Sequence, residues 1–484
     1  MLSHTLTDLA RATGLPVIKR AAGAVTRLVP IPQPLLLIGP GSALRLVAAV
    51  AEFGHRRVFV VSDAQLARLG LLAPLTDALA AAGCAFEVYA EVEPDAPIPV
   101  VERGLVLMKR QRCDAVLAVG GGSVIDAAKV IALAAANRKP LRELAGYFRA
   151  LHGPVPIYAV PTTAGTGSEV TVAAVISDPE AQRKLVVADT RIVPDMAALD
   201  PTLMTGLPPA VTAATGMDAL THAVEAYISQ WATPATDRLA LAAVGMVFAN
   251  LPRACEQGSD LHAREQMALA STYAGMAFTR ANVGNVHAIA HQLGARYHTP
   301  HGLANAIVLP HVLRFSLDAA PARLAALARR IGSADDGADD ARLAARFVDA
   351  VQALGERVGI ARTLAALQEA DIPALAQAAC HEADFNYPVP RVMSRADCEA
   401  LLRQVLPGAL AAPRRARAGS AAGKRAATGA AKRTAGGAAK TTAKTTAKTN
   451  AKTATKTTGR LPATPPAASP RAGAAARRRA AAGA

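Results

Sequence analysis

Cysteine and aromatic residues are scarce in this chain of 484 residues, which has five cysteines, one tryptophan and 4% aromatic residues. The cysteines are odd in number, widely spaced and without a C-x-x-C pair, which argues against a disulfide framework and a thiolate metal site and favours a reducing compartment. Long uncharged apolar runs are also missing, so the sequence predicts no membrane span. Residues 1–30 alternate apolar and charged residues and lack the apolar run of a signal peptide. We therefore expect a cytoplasmic protein.

Acidic residues are absent from residues 413–484, which hold seventeen Lys and Arg. The chain has 53 Lys and Arg against 37 Asp and Glu, so this tail carries the whole basic excess and the first 412 residues are near neutral, at −1. Lysine recurs at every fourth position from Lys440 to Lys456 and large apolar residues are almost missing, which predicts a disordered segment. The tail resembles those of linker-histone-like proteins, which implies salt-dependent, non-specific nucleic-acid binding. A low-complexity extension without a function is the alternative.

The remaining residues predict two domains behind an amino-terminal extension, residues 1–34, that carries an amphipathic helix. Within residues 35–206, buried strands alternate with helices, which indicates an α/β, Rossmann-like domain with a parallel sheet covered on both faces. Within residues 207–412 the pattern is helical throughout, which indicates an all-α domain. The predicted strands are 35–38, 57–62, 86–89, 115–119 and 155–160. The predicted helices are 65–83, 98–112, 124–137, 209–230, 237–254, 263–278, 284–294, 321–331, 340–354 and 396–405.

Two loops of the first domain have the composition of a dinucleotide site. A glycine cluster, GGGS at 120–123, joins a buried strand to a helix, where free amides at the helix start attract a pyrophosphate. A tight turn is the alternative, because the full G-x-G-x-x-G fingerprint is missing. A second loop, PTTAGTGSEVT at 161–171, offers hydroxyl groups after another strand, and two such loops indicate a cofactor crevice. The candidate residues are Gly121, Gly122, Ser123, Thr162, Thr163, Thr166 and Ser168.

Two charged residues bear on the choice of cofactor. Asp63 follows the strand RVFVVS, where a carboxylate accepts hydrogen bonds from a ribose and repels a 2′-phosphate. It therefore favours NAD over NADP, although a helix N-cap is an equal alternative. Lys184 is a further candidate for cofactor binding, or else a solvated lysine at a strand end.

Four of the eleven histidines fall within residues 287–301. Upstream, Asp218 and His222 are four residues apart, so one helical face presents both. Three imidazoles and one carboxylate suit a divalent transition metal. We interpret His298 as a loop residue and His291 as a residue beside the metal. The predicted ligands are Asp218, His222, His287 and His301.

The motifs GGGSVIDAAK, VPTTAGTGSEVT, GMDALTHAVEAY and HAIAHQLGARYHTPHGLANAIVLPHV resemble those of the iron-containing (group III) alcohol dehydrogenase family, in the same order. The resemblance covers about residues 35–405 and implies a dehydroquinate synthase-like fold with a nucleotide-binding domain, a metal-binding domain and a cleft between them, commonly in a homodimer or higher oligomer. It places the family's metal ligands on the four residues above and its cofactor loops on the two described, with Asp126 close by. It also places the family's further histidine on His291.

The resemblance implies reversible hydride transfer between NAD(H) and a small primary alcohol, diol or aldehyde, with Fe²⁺ polarising the substrate oxygen. His291, the ribose hydroxyls of the cofactor and a water chain are then the candidates to pass on the alcohol proton. The ligand set leaves Zn²⁺ possible, because affinity does not favour Fe²⁺ over it. A glycerol dehydrogenase, a maleylacetate reductase or a dehydroquinate synthase is the alternative within the same fold.

Overall fold

A computed structural model of the chain describes residues 23, 29–181, 183–334 and 337–408. The predicted amino-terminal helix, apart from Gly23, and the predicted disordered tail at 413–484 lie outside these residues.

The first half contains the β-strands. They are β1 (Leu35–Ile38), β2 (Arg57–Val61), β3 (Ala85–Tyr89), β4 (Ala115–Gly120), β5 (Gly146–Tyr147), β6 (Ile157–Pro161), β7 (Ala173–Asp178), β8 (Arg183–Ala188) and β9 (Met196–Leu199). Six of them form a parallel sheet in the order β1-β9-β6-β4-β2-β3, and β5, β8 and β7 form a smaller second sheet. Alternate residues of β2 face opposite cores, with Phe59 on one side and Val58 on the other. The apolar strand sequences therefore reflect burial on both faces.

The order of the large sheet creates a crevice between β2 and β4. The chain runs from β2 outward to β3 and then returns to the other side of β2 to form β4. Connections on either side of such a switch point leave in opposite directions and open a gap at the carboxyl ends of the strands. Asp63 follows β2 and Gly121 follows β4, so both flank this gap.

Helices cover the sheet and make up the second half. In the first half they are α1 (Ser42–Glu52), α2 (Ala64–Arg68), α3 (Ala73–Ala81), α4 (Ile98–Gln111), α5 (Gly122–Ala136) and α6 (Leu141–Leu144). In the second half they are α7 (Pro209–Ile228), α8 (Pro234–Glu256), α9 (Leu261–Ala281), α10 (Asn285–Tyr297), α11 (His301–Phe315), α12 (Pro321–Arg330), α13 (Asp340–Arg357), α14 (Ile372–Asn386) and α15 (Arg395–Gln404). The helix α7 is almost wholly buried and packs against α8, α9 and α11. The strands of the first half and the helices of the second half confirm the predicted fold class, an α/β half followed by a helical half.

One predicted helix is wrong and several elements were missed. The helix predicted at 65–83 is two helices, α2 and α3, because Gly70 adopts a left-handed φ of 72° and Pro74 starts a new helix. The elements α1, α6, α11, α14, β5, β7, β8 and β9 were not predicted. The remaining predicted elements begin and end within three residues of the observed ones.

By length and composition alone, α8 could cross a membrane, with a mean hydropathy of 1.2 over eighteen residues. It packs between α7 and α9, and charged side chains such as Asp237 and Arg253 lie near its ends. A core helix of a helical bundle has the same composition, because its contacts with other helices bury its apolar residues.

Candidate active site

The four predicted metal ligands lie together at the bottom of the cleft. Asp218 and His222 come from successive turns of α7, while His287 comes from the first turn of α10 and His301 begins α11. One ligand atom of each residue lies within 4.8 Å of those of the other three. The first three side chains are buried and His301 is partly exposed. Three separate helices therefore deliver one compact set of donors.

The ligand atoms of these residues face one another, and their lone pairs favour a cation between them. The side-chain amide nitrogen of Asn305 lies 2.7 Å from Asp218 Oδ1, 3.2 Å from His287 Nε2 and 3.1 Å from His301 Nε2. Among the described residues, the amide oxygen of Asn305 is buried and has no hydrogen-bond partner. Lone pairs of three side chains thus meet one weak donor, an arrangement that fits a divalent cation held by nitrogen and oxygen ligands. Asn305 was not predicted. Its spacing of four residues from His301 could have indicated it, because such residues share one face of a helix.

Neighbouring acceptors fix which ring nitrogen of two histidines faces the centre. His287 Nδ1 donates to Glu225 Oε2 at 2.6 Å, and His222 Nδ1 donates to the Gly165 carbonyl at 3.3 Å. Each ring therefore carries its proton on Nδ1 and presents an unprotonated Nε2 to the metal position. Glu225 was also missed, although it lies within the quoted motif, one turn after His222.

Burial sets the charges of the centre. Burial lowers the pKa of His222, and lowers that of His287 and His301 well below the usual value, with the other histidines adding to the effect. Burial also raises the pKa of Asp218, whereas His222 and Asn305 lower it. The imidazoles are consequently neutral near pH 7, the state in which they bind metals.

His291 lies beside this centre and forms a pair with a residue distant in sequence. Its Nδ1 is 2.6 Å from Glu382 Oε1, and its ring centroid is 5.4 Å from that of His301. The Tyr387 hydroxyl and the Gln292 amide also donate to Glu382, at 2.5 and 2.8 Å. His291 also lines the cleft. Glu382 lies on α14, a helix that was not predicted, so its role was missed.

His298 takes no part in this arrangement. It is exposed, ends α10 and has a left-handed φ of 53°. Its interpretation as a loop residue agrees with this position.

The predicted glycine and threonine loops follow neighbouring strands, β4 and β6, and touch each other. A Cβ atom on Gly122 would lie 2.5 Å from Thr166 Cγ2, and one on Gly121 would lie 3.2 Å from Thr163 Oγ1. Gly121 is the N-cap of α5 and has no side chain that could cover the helix amides. The backbone is therefore open to a phosphate at this helix start. Thr162 is buried, and its amide bonds to the Gly120 carbonyl at 3.0 Å.

Asp126 and Ser168 hold the second loop in place. The Ser168 hydroxyl donates to Asp126 Oδ1 at 2.5 Å, and the Val175 amide donates to Asp126 Oδ2 at 2.9 Å. Both oxygens of Asp126 thus bond to the protein itself, while both residues line the cleft. Ser123 lies opposite, and its hydroxyl accepts the Asp95 amide at 3.1 Å.

The two charged candidates for cofactor binding also line the cleft. Asp63 is the N-cap of α2, and its Oδ1 accepts the amides of Gln65 and Leu66, both at 2.9 Å. The N-cap alternative is therefore confirmed. Lys184 Nζ pairs with Asp95 at 2.8 Å, so it is not the solvated lysine of the alternative.

A cavity of about 2370 Å³ joins the two loops to the metal position. Its walls come from both halves, including Asp63, Gly122 and Thr166 on one side and His222, His287 and His301 on the other. Its volume exceeds the roughly 300–1,000 Å³ of a typical small-ligand pocket. There is room for a dinucleotide together with a small substrate.

Comparisons with known proteins agree with this geometry. Residues 34–201 match the family described as iron-containing alcohol dehydrogenase, and residues 212–406 match the carboxy-terminal part of the Fe-containing alcohol dehydrogenase family. The chain is 41% identical to the 1,3-propanediol dehydrogenase of Klebsiella pneumoniae over 355 residues, which is 72% of this chain and 92% of the relative. It is 42% identical to the lactaldehyde reductase of Escherichia coli K12 over 347 residues, 70% of this chain and 90% of the relative.

Further similarities extend over the whole of other relatives. The NAD-dependent methanol dehydrogenase of Bacillus methanolicus is 36% identical over 375 residues, which cover 77% of this chain and 98% of that protein. The crystal structure of a 1,3-propanediol oxidoreductase superposes with a TM-score of 0.75 at 38% identity, covering 78% of this chain and all of that one. The chain belongs to the iron-containing alcohol dehydrogenase family, oxidoreductases that use iron and NAD to interconvert small alcohols and aldehydes.

Proposed function

We propose that Asp218, His222, His287 and His301 hold Fe²⁺ and that the glycine and threonine loops hold NAD. The observation that carries this proposal is the convergence of four donor atoms within 4.8 Å of one another at one end of the cavity that the loops line. Zn²⁺ fits the same donors, since it also binds imidazole and carboxylate. Asp63 supports NAD over NADP, because a carboxylate at this position repels a 2′-phosphate.

When bound, the metal supplies a Lewis acid for the substrate oxygen, and NAD exchanges the hydride with the carbinol carbon. The protein supplies the positions and the path of the proton. His291 accepts the proton of the alcohol at Nε2, directly or through water, and Glu382 stabilises the resulting imidazolium through Nδ1–H. The Tyr387 hydroxyl and the Gln292 amide keep Glu382 in place. In the aldehyde direction the same proton returns from His291.

We propose a small primary alcohol or a short diol as the substrate. Its support is the similarity to proteins named for 1,3-propanediol and lactaldehyde, with about 90% of each relative covered. Phe278 stacks on His222, with ring centroids 4.4 Å apart, and lines the cavity beside the metal position. An apolar wall there suits a short carbon chain. A glycerol dehydrogenase or a maleylacetate reductase remains the alternative reaction.

Metal analysis and an activity panel test the proposal together. Protein purified without oxygen should contain about one metal ion per chain and should reduce NAD faster than NADP in the presence of short alcohols or diols. Glycerol as the preferred substrate would favour the alternative. Protein that is active but free of metal would refute the assigned site.

We further propose that residues 35–206 act as the cofactor domain and 207–412 as the metal domain, in a cytoplasmic homodimer or higher oligomer. The family resemblance supports the domains and the oligomer, and the five free cysteines support a reducing compartment such as the cytoplasm. Light scattering of the purified chain measures the oligomeric state, and a monomer would contradict the proposed oligomer.

The tail supports a second function. Seventeen positive charges without a carboxylate in residues 413–484 favour non-specific binding of nucleic acid through phosphate groups. A gel shift should show DNA binding by the full chain that weakens steeply with salt, and none by a chain that ends at Ala412. Equal binding by both chains would rule out a role of the tail.

A further inference from the structure

Glu225 is a buried glutamate whose three close partners all donate to it. Its side chain is 4% exposed and lies on α7, three residues after His222. Oε2 accepts the Gly284 amide at 2.8 Å and His287 Nδ1 at 2.6 Å, while Oε1 accepts the Val286 amide at 2.7 Å. One carboxylate therefore binds the start of α10 and the histidine of its first turn.

This arrangement links two of the three helices that carry the proposed ligands. Asp218 and His222 belong to α7, whereas His287 reaches the centre only if α10 begins at the correct height and its ring is turned correctly. The amide bonds set the first condition and the bond to Nδ1 sets the second. Every close donor points at its oxygens, so the side chain acts as an acceptor.

We propose that Glu225 is a positioning residue for the metal centre, which holds His287 in the tautomer and orientation that present Nε2 to the ion. The inference rests on the metal site proposed above. Carboxylates that accept the second nitrogen of a ligand histidine typically change metal affinity by about 10- to 100-fold when they are removed. We expect a loss of that size.

The substitution Glu225→Gln tests this inference with little change in shape. A glutamine has one acceptor and one donor group, whereas Gly284, Val286 and His287 all donate. One NH₂ group must then face either the Val286 amide or His287 Nδ1, and in the second case the ring moves its proton to Nε2 and blocks the ligand atom. We expect an affinity for Zn²⁺ that is about 10- to 100-fold weaker, measured by competition with a chelator. Loading with Co²⁺ should give an altered ligand-field spectrum.

Glu169→Gln is the matched control. Glu169 is a second buried glutamate, 2% exposed, and accepts the Thr272 hydroxyl at 2.7 Å without touching a proposed ligand. It should change thermal stability but leave the Zn²⁺ affinity and the Co²⁺ spectrum unaltered. Should Glu225→Gln not fold, Gly284→Ala displaces the same carboxylate, because its Cβ would lie 2.9 Å from Glu225 Oε1.

The outcomes separate the two proposals. If the wild-type protein fails to bind Zn²⁺ or Co²⁺, the proposed metal site fails. If the wild type binds and both Glu225→Gln and Gly284→Ala match it in affinity and spectrum, the role of Glu225 is refuted while the site stands. A lower melting temperature with unchanged affinity would make Glu225 a structural residue only, which also overturns the inference.

Discussion

Adding one methyl group at Gly122 should weaken NAD binding and leave the metal site intact. Gly122 is the first residue of α5, and a Cβ there would lie 2.5 Å from Thr166 Cγ2 and 2.9 Å from Thr166 Oγ1. Because carbon atoms pack at about 3.5–4.0 Å, the two loops must separate by about 1 Å. Overpacking of this kind costs about 1–3 kcal/mol. If this cost falls on the binding of NAD between the loops, the dissociation constant of NAD should be about 5- to 150-fold higher.

Fluorescence titration with NADH, beside metal analysis, measures this effect in Gly122→Ala. Gly153→Ala is the control, because its Cβ would make only an ordinary contact of 3.7 Å with Arg191 Cδ. Thr166→Ser removes the methyl group in the closest contact but keeps the hydroxyl oxygen at 2.9 Å from the added Cβ. It should therefore restore part of the affinity in the Gly122→Ala protein and change little in the wild type. An unchanged dissociation constant for Gly122→Ala, or no recovery in the double variant, would refute the contact between the loops as the cause.

Two further substitutions and two pH titrations test other parts of the site. His287→Ala should lose both the metal and turnover but still bind NADH, and a fully active variant without metal would contradict the proposed centre. Asp63→Ser should raise the activity with NADP relative to NAD, because serine keeps the N-cap of α2 but removes the charge; an unchanged ratio, with Asp63→Ala as the comparison, would assign Asp63 to capping alone. Burial lowers the pKa of His222, His287 and His301 below 6.5. Metal should therefore stay bound as the pH falls through 6.5 and dissociate only at lower pH. Metal release centred at or above pH 6.5 would contradict the assignment of these histidines as neutral ligands. Because these pKa values are lowered, the free energy of unfolding of the metal-free protein should fall as the pH drops below 6.5, since the unfolded chain then takes up protons that the folded histidines do not. Urea unfolding at several pH values would measure this change.

Local sequence patterns were sufficient to propose the four metal ligands. Asp218 and His222 could be paired because a helix places residues four apart on one face, and the histidines of 287–301 stood out by their density. The glycine and threonine loops could be recognised because buried strands and turn residues leave strong local signals. The prediction of a single helix at 65–83 was wrong for a local reason as well, because Gly70 adopts a left-handed conformation that ends the first helix.

The residues that orient the ligands depended on contacts between distant segments. Glu382 lies 91 residues from His291, and no spacing rule connects them. Glu225 and Asn305 were visible within the motifs, yet only the packing of α7 against α10 and α11 showed that they face the ligand nitrogens and the carboxylate. By itself the sequence determined the fold class and predicted the two proposed cofactor loops and the four proposed metal ligands, because those follow from periodicity and residue chemistry. The tertiary structure decided which nitrogen each of His222 and His287 presents, which loops touch and which acids support the histidines, because those depend on distances between segments that the chain brings together only on folding.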